Sequence, residues 1–406
     1  MSFQQGLSGL NAAAKHLDVI GNNVANANTA GFKGSLAQFG DVFASRVGGG
    51  GTQIGIGTSI TAVLPLFGQG NITVSANPLD LAINGQGFFR VSAGGTVTYT
   101  RNGQFSLDKE GYIVNAAGAR LTGYPATAAG TIVASTPTEL RISSADLAPA
   151  ATQNAKIVLN LDSRNGTLPA AGFNLADPTT YHSATSLAVY DSLGNPHTLT
   201  AYFVKTAPNV WSVFAAANGV QVGAGAVGTL AFQPDGTIDT AASGLPFALA
   251  VPVGTGAASP LAFALDFSGS TQFGSNFGVN ELVQDGYPSG KLTGYAISSD
   301  GTIIGRYSNG QTRAQGQVVL ANFTNPQGLQ PLGNNQWGET AASGQPLVGA
   351  PNTGNLGVIQ SGALEESNVD ITEELVRMIT AQRIYQANAQ TIKTQDAVLQ
   401  TMVNLR

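Results

Sequence analysis

Cysteine is absent from the 406 residues, which excludes disulfides, thiolate metal sites and cysteine nucleophiles. Charge is scarce as well. Charged residues make up 10% of the chain, against about 25% in ordinary soluble domains. The net charge of -5 is spread without long runs, and nothing resembles a basic arm or groove, which argues against nucleic-acid binding. Long apolar runs are missing too. The most apolar stretch, Leu245–Val253, is short and interrupted by Pro246 and Pro252, so no transmembrane span is expected. The N-terminus has neither a basic start nor an unbroken apolar core. It does not read as a cleaved signal peptide, and an exported chain would keep it. Histidine occurs only at positions 16, 182 and 197.

Apolar residues are plentiful, at 43%, which is ample for real cores. The length suits two to four domains. Gly, Ser, Thr, Asn and Gln fill the remainder. Such a surface repels itself weakly, which suits close packing of many copies and equally an ordinary extracellular β-protein.

The 52 glycines and 18 prolines are spread along the chain, yet none falls between Ala363 and Arg406. Within that stretch Ile371, Leu375, Met378, Gln382, Tyr385, Ala389, Ile392, Asp396, Leu399 and Val403 follow heptad spacing, and all but Gln382 and Asp396 are apolar. Asp370 and Glu373 form a capping-box start. A helix over 370–406 would be roughly 55 Å long. At the other end Phe3, Leu7, Leu10, Ala14, Leu17, Gly21 and Val24 keep the same spacing, with Ser2 and Gln5 as a second capping box. Val19, Ile20, Val376, Ile379, Val398 and Met402 lie off these stripes. A two-helix hairpin covers one seam of each rod, so the extra apolar positions call for other copies of the chain. The residues assigned to packing between subunits are Phe3, Leu7, Leu10, Leu17, Val24, Ile371, Leu375, Met378, Tyr385, Ile392, Leu399 and Val403.

Residues 31–70 read as an irregular linker with extended segments around Ile54, Ile56 and Ile60, and with a glycine run at Gly48–Gly51. From Asn71 the pattern is β, punctuated by turns at Asn84-Gly85, Asn102-Gly103, Glu110-Gly111 and Ala117-Gly118. Leu121-Thr122-Gly123-Tyr124 recurs as Leu292-Thr293-Gly294-Tyr295, followed by turns at Asp300-Gly301 and Asn309-Gly310. This echo suggests one β domain interrupted by a long insertion. The insertion alternates at Ile157, Leu159 and Leu161 and at Leu199, Ala201 and Phe203, as in a sandwich or barrel. The fold class is therefore mixed. Long terminal α-helices form a coiled-coil-like pair, and two mainly antiparallel β domains lie between them, the second inserted in the first. The expected divisions are a terminal helical domain (1–30 and 363–406), the linker, an outer β domain (71–144 and 286–362) and an inserted β domain (145–285).

Catalytic constellations are hard to assemble. His16 sits beside Lys15 and reads as surface. His182, His197 and Asp191 are the one combination that resembles a metal or acid–base site, but their spacing matches no ligand motif, and structural roles outweigh it. Asp162, Asp266, Glu281 and Asp285 qualify as a sugar-hydrolysing pair only by being present. No phosphate loop and no G-x-S-x-G elbow occurs. In Phe88-Phe89 one side chain at least must face a core. The expectation is a protein with no catalytic site, metal or cofactor.

Three stretches resemble the flagellar axial proteins, the rod and hook family. The first is Gly21-Asn22-Asn23-Val24-Ala25-Asn26-Ala27-Asn28-Thr29-Ala30-Gly31-Phe32-Lys33. The second is Leu79-Asp80-Leu81-Ala82-Ile83-Asn84-Gly85-Gln86-Gly87-Phe88-Phe89. The third joins Ser367-Asn368-Val369-Asp370 with Met378-Ile379, Gln382-Arg383, Tyr385-Gln386-Ala387-Asn388 and the tail Leu399–Arg406. The family positions carried over are Asn22, Asn23, Asn26, Thr29, Gly31, Phe32, Lys33, Gln382, Arg383 and Asn388. Met1–Asn11 and Tyr190–Leu199 are most similar to hook subunits, while the stretch from about 126 to 282 matches patchily. The resemblance implies a subunit that self-assembles into a helical tube outside the cell, the hook, a flexible universal joint passing motor torque to the filament. It implies export through the flagellar type III channel without a cleaved signal peptide. The implied partners are other copies of the chain and the distal rod, hook cap and hook–filament junction proteins. Some members of the family join subunits covalently through a cysteine, a chemistry that this chain cannot perform.

Overall fold

The computed structural model describes residues 2–42 and 55–404; the side chains of Ser2, Met402 and Asn404 are not among what it describes. The glycine run 48–51, Ile54 and the last two residues lie outside this set. Three α-helices are present among the described residues: α1 (Ser2–Ala25), the single-turn α2 (Thr240–Ser243) and α3 (Ile371–Asn404). The rest is mainly antiparallel sheet. The chain divides into two compact units. One comprises Met1–Ser143, Gly294–Arg306 and Thr312–Arg406, and the other Ser144–Thr293 with Tyr307–Gln311.

In the first unit, α1 and α3 run antiparallel. Asp370 caps α3, its Oδ1 accepting from the N–H groups of Thr372 and Glu373 at 2.7 and 3.2 Å. The Glu373 side chain does not complete a capping box. It pairs with Arg377 at 2.6 Å. Nor does Gln5 cap α1. Its amide reaches 2.6 Å across to the Gly55 carbonyl. The stretch read as an irregular linker contains a hairpin. Strand β1 (Ser35–Val42) pairs antiparallel with β2 (Gly57–Pro65) through a bulge at Gln38/Phe39. Here the alternation is blurred by the bulge, so a period-2 reading fails. Strands β3 (Ile72–Val74) and β4 (Leu81–Asn84) pair with Ala363–Glu365 and Val358–Ser361. Those two pairings bring the segment after α1 beside the segment before α3.

One sheet carries both copies of the Leu-Thr-Gly-Tyr echo, the second of which begins in the last two residues before Gly294. Arg120–Pro125 holds the first, and Leu292–Ile297 the second, with Thr312–Val318 and Thr302–Tyr307 between them in the sheet order. The turns expected at Gly111, Gly118, Gly301 and Gly310 all have positive φ. Phe88 and Phe89 are both buried, because this strand is covered on both faces. Phe88 meets Phe67 and Phe323, and Phe89 meets Phe105.

The second unit contains a four-stranded and a six-stranded sheet. Ile157, Leu159 and Leu161 of one strand, Leu199, Ala201 and Phe203 of another, and Trp211 fill a single core, so the period-2 alternation marks its inward residues. One pair, Asn154–Asn160 with Leu261–Asp266, is parallel.

Candidate functional site

The helix pair is the first part of the site. Gly6 lies against Ile392 and Gly9 against the Asn388 side chain, while Asn23 reaches Glu374 at 3.4 Å. A Cβ at Gly9 would stand 2.6 Å from Asn388 Oδ1, so glycine leaves the room that the Asn388 side chain takes over α1. The α3 face turned toward α1 carries Glu374 and Ala381, both buried, and the half-buried Met378, Asn388 and Ile392. It overlaps the expected heptad stripe at Met378 and Ile392, with the half-buried Ala389 beside them. Ile371 and Leu375 are rotated away and exposed, and Tyr385 is exposed at its margin. On α1 the deepest residues are Ala13, Ile20 and Asn23, one position off the expected stripe. The β1–β2 hairpin also packs on α1, so the face between its two neighbours is buried most. Leu10, Leu17 and Val24 are half-buried, and Phe3 and Leu7 exposed. His16 is not plain surface; its ring stands edge-on to Phe39 at 5.7 Å.

Exposed on α3 are Ile371, Leu375, Val376, Ile379, Ile384, Tyr385, Val398, Leu399 and Val403. At about 100° per residue they lie all round the rod rather than along one stripe. One neighbouring helix leaves most of them in water.

The second part is the loop between α1 and β1. Asn23 is buried and behaves as a strand residue would. Its Nδ2 donates to Ser35 O at 2.8 Å, and its Oδ1 accepts from Ser35 N at 2.9 Å. Asn368 does the same from the other side. Its Oδ1 accepts from Gly34 N, and its Nδ2 donates to Leu66 O. Asn26 folds back on Asn22 and accepts weakly from Thr29. Gly31 sits at φ 68° with its N–H donating to Glu365 O at 2.7 Å. A Cβ there would meet the Asn102 backbone nitrogen at 2.5 Å, which explains why glycine stands in this motif. Phe32 is half-buried, while Gln382 and Arg383 are exposed on α3.

Beneath this loop lies a fully buried ionic cluster. Lys33 Nζ stands 2.7 Å from Glu365 Oε1, and Arg101 Nη1 3.1 Å from Glu365 Oε2. Lys33 also donates to Gly68 O at 2.8 Å, and Arg101 to Gly85 O at 2.7 Å. Glu365 Oε1 accepts a further bond from Gly70 N. Burial lowers the Lys33 pKa, the Glu365 carboxylate opposing that shift and the Arg101 charge adding to it. Burial lowers Arg101 likewise, again against Glu365. Motif reading reached Lys33 but missed Arg101 and Glu365. The available signal was scarcity: in a chain so poor in charge, a carboxylate ending a short apolar strand is unusual.

Each of the polar candidates weighed above has structural partners. His197 Nε2 lies 3.1 Å from Asp191 Oδ2, and its Nδ1 lies 2.9 Å from the Asn218 amide nitrogen. The ring therefore donates to the carboxylate and accepts from the amide. His182 is not part of this group. Its Nδ1 accepts from Lys205 N, and burial lowers its pKa. Asp162 pairs with Arg164, Glu281 with Lys156, Asp285 binds the Gln153 and Asn154 N–H groups, and Asp266 binds Ser268. Among the described residues no group of three His, Cys, Asp or Glu side chains is placed to hold a metal.

Burial pushes the Asp191 carboxyl up, but hydrogen bonds from Thr255, Asn195 and His197 outweigh it and hold the pKa below the usual carboxylate range. A depressed folded pKa stabilises above the unfolded value near 4 and is lost as pH falls through the folded one. The second unit is thus expected to lose stability progressively below about pH 5. Trp211 fluorescence in a W337F background, followed through denaturant titrations at several pH values, checks this. Asp191→Asn should flatten the acid limb, and an unchanged slope would refute the assignment.

A helical pair at the chain ends, carried by antiparallel β units, defines the class of flagellar axial proteins. Four family models cover most of the chain. Flagella basal body rod protein matches residues 3–33, and the flagellar hook protein FlgE/F/G D1 domain matches 82–157. The flagellar basal body protein FlaE D2 domain matches 160–287, and the flagellar basal body rod FlgEFG protein C-terminal matches 360–405. The flagellar hook protein FlgE of Escherichia coli K12 is 44% identical over 416 residues, covering 100% of both chains. That of Borreliella burgdorferi is 35% identical over 441 residues, covering 100% of this chain and 99% of its own. The crystal structure of Helicobacter pylori flagellar hook protein FlgE2 superposes with a TM-score of 0.55 at 14% identity, over 72% of this chain and 100% of that one, a likeness of fold. The chain belongs to the flagellar hook protein FlgE family and is a structural subunit of the hook.

Proposed function

We propose that the chain polymerises through its paired terminal helices into a helical tube, the hook, that acts as a flexible universal joint and passes motor torque to the filament. The observation that carries this is the ring of large apolar side chains left exposed around α3. Monomeric soluble proteins rarely leave such a surface uncovered. Phe3, Leu7, Ile371, Leu375, Tyr385, Leu399 and Val403 are its intersubunit contacts, and the half-buried Leu10, Leu17, Val24, Met378 and Ile392 complete them from beneath. Gln382 and Arg383 supply polar contacts at the rim.

The proposed division is a helical inner tube (1–30 and 363–406), a connecting segment (31–70), an outer β domain (71–144 and 286–362) and an inserted β domain (145–285). In this reading the buried cluster and the Asn23 and Asn368 bonds clamp the tube to the β body. Neutral β surfaces, with little charge to fix one register, slide between contacts as the tube bends. The protein works without catalysis or cofactor. It leaves the cell by the flagellar type III route and meets distal rod, cap and junction proteins at the ends of the tube. No helix of the described residues is long and apolar enough to cross a membrane. Electron microscopy of the purified chain after salt-induced polymerisation tests the proposal. Curved tubes are expected. Straight tubes would indicate a rod-like role, and particles that stay monomeric under all conditions, including on added hook fragments as seeds, would sink it.

A further inference from the structure

Among the described residues, the helix pair leaves one apolar groove and one apolar overhang uncovered. The groove, about 680 Å³, lies between α1, α3 and the base of the β1–β2 hairpin. Ala12, Ala13, His16, Phe39, Ala381 and Ile384 line it. These alanines and Ala37 leave the space, and Phe39 and Ile384 wall it. The overhang is the end of α3. Because α1 has 24 residues and α3 has 34, and because Gly6 already faces Ile392, the last turns of α3 project beyond the start of α1. Val398, Leu399 and Val403 on those turns are 48, 49 and 74% exposed.

These two features cannot meet within one chain. They sit on one continuous helix, about 20 Å apart from Ile384 to Val398 at 1.5 Å per residue. They are chemically matched all the same. No Asp, Glu, Lys or Arg lines the groove, and none occurs between Ala397 and Asn404, so joining them desolvates no formal charge. Both belong to the helix pair through which polymerisation is proposed, and the inference rests on that reading. We infer that the α3 overhang of one copy seats in the α1–α3–hairpin groove of the next. Two different patches on one chain make a heterologous contact, which repeats without closing and builds a filament rather than a dimer.

The absence of native cysteine makes the test direct. Two double variants, A12C/V398C and I384C/V403C, are polymerised, checked for tubes by electron microscopy, oxidised mildly and run on non-reducing gels. A ladder running well past the dimer is expected from at least one pair, and none from the four single variants. Tubes of normal appearance that yield only monomer from both pairs would overturn the docking, leave polymerisation standing and assign the groove to a different protein. Dimers from V398C or V403C alone would also overturn it, since they place overhang against overhang. If the unmodified chain forms no tubes under seeded conditions, the polymerisation reading fails first and the docking falls with it.

Discussion

Replacing Glu365 by alanine is expected to destabilise the first unit by about 3–5 kcal/mol, the range for removing one partner of a buried ion pair. The side chain is fully buried and serves two cations, Lys33 and Arg101, at 2.7 and 3.1 Å. Without it, two positive charges remain in a dry site with only the Gly68, Ile83 and Gly85 carbonyls as acceptors. Urea unfolding of the monomer measures the loss. A cost under about 1 kcal/mol would mean that water reaches the site, contrary to its burial. The triple variant K33M/R101M/E365M separates net worth from the penalty of a broken pair. It should lie near the wild type or above it, because hydrophobic replacement of a whole buried cluster is often neutral or stabilising. Its tubes, if they form, would then report what the charges contribute to mechanics rather than to folding.

The second large effect is on assembly. Leu375→Glu with Ile379→Glu puts two carboxylates on the face of α3 turned away from α1, where both residues are exposed in the single chain. Monomer stability should move by no more than about 0.5 kcal/mol, the usual range for surface changes. Burial of an unpaired carboxylate at an intersubunit contact costs several kcal/mol per ion. Repeated at every contact in the tube, this should raise the critical concentration for polymerisation by more than about 100-fold. Sedimentation of polymer across a concentration series reads it. Polymerisation at wild-type concentrations would show that this face of α3 points to solvent in the tube.

Much of this architecture is legible in the residues. Ile157, Leu159 and Leu161 alternate and are all buried, because a strand covered on one face by a second sheet obeys a period of 2. The glycine-free C-terminal run is a helix from Ile371 to Asn404, after a short strand at Ala363–Glu365. The rotation of that helix was not legible. Apolar residues surround α3, so several stripes compete, and the one that meets α1 is chosen by small residues, Gly6, Gly9 and Ala381, which a hydrophobic count undervalues. The hairpin at 35–65 escaped because a bulge breaks its alternation and its residues are half-exposed. The motif around Asn23, Gly31 and Lys33 marked the right loop, but the partners that explain it lie far along the chain. Asn368, Glu365 and Arg101 are identifiable only once the strands have paired.

That distance has a consequence for timing. Lys33 and Glu365 are separated by 332 positions, and the strands flanking Glu365 close the chain on itself at β3 and β4. Contacts of such high order are expected to form late, after the intervening β units have collapsed and shortened the effective loop. α1 and α3 are held in register by these same contacts. A subunit folding from a linear chain would therefore acquire its adhesive end last. Closure of the clasp would act as a completion signal, so that only a finished subunit presents the surface to which the next one adds.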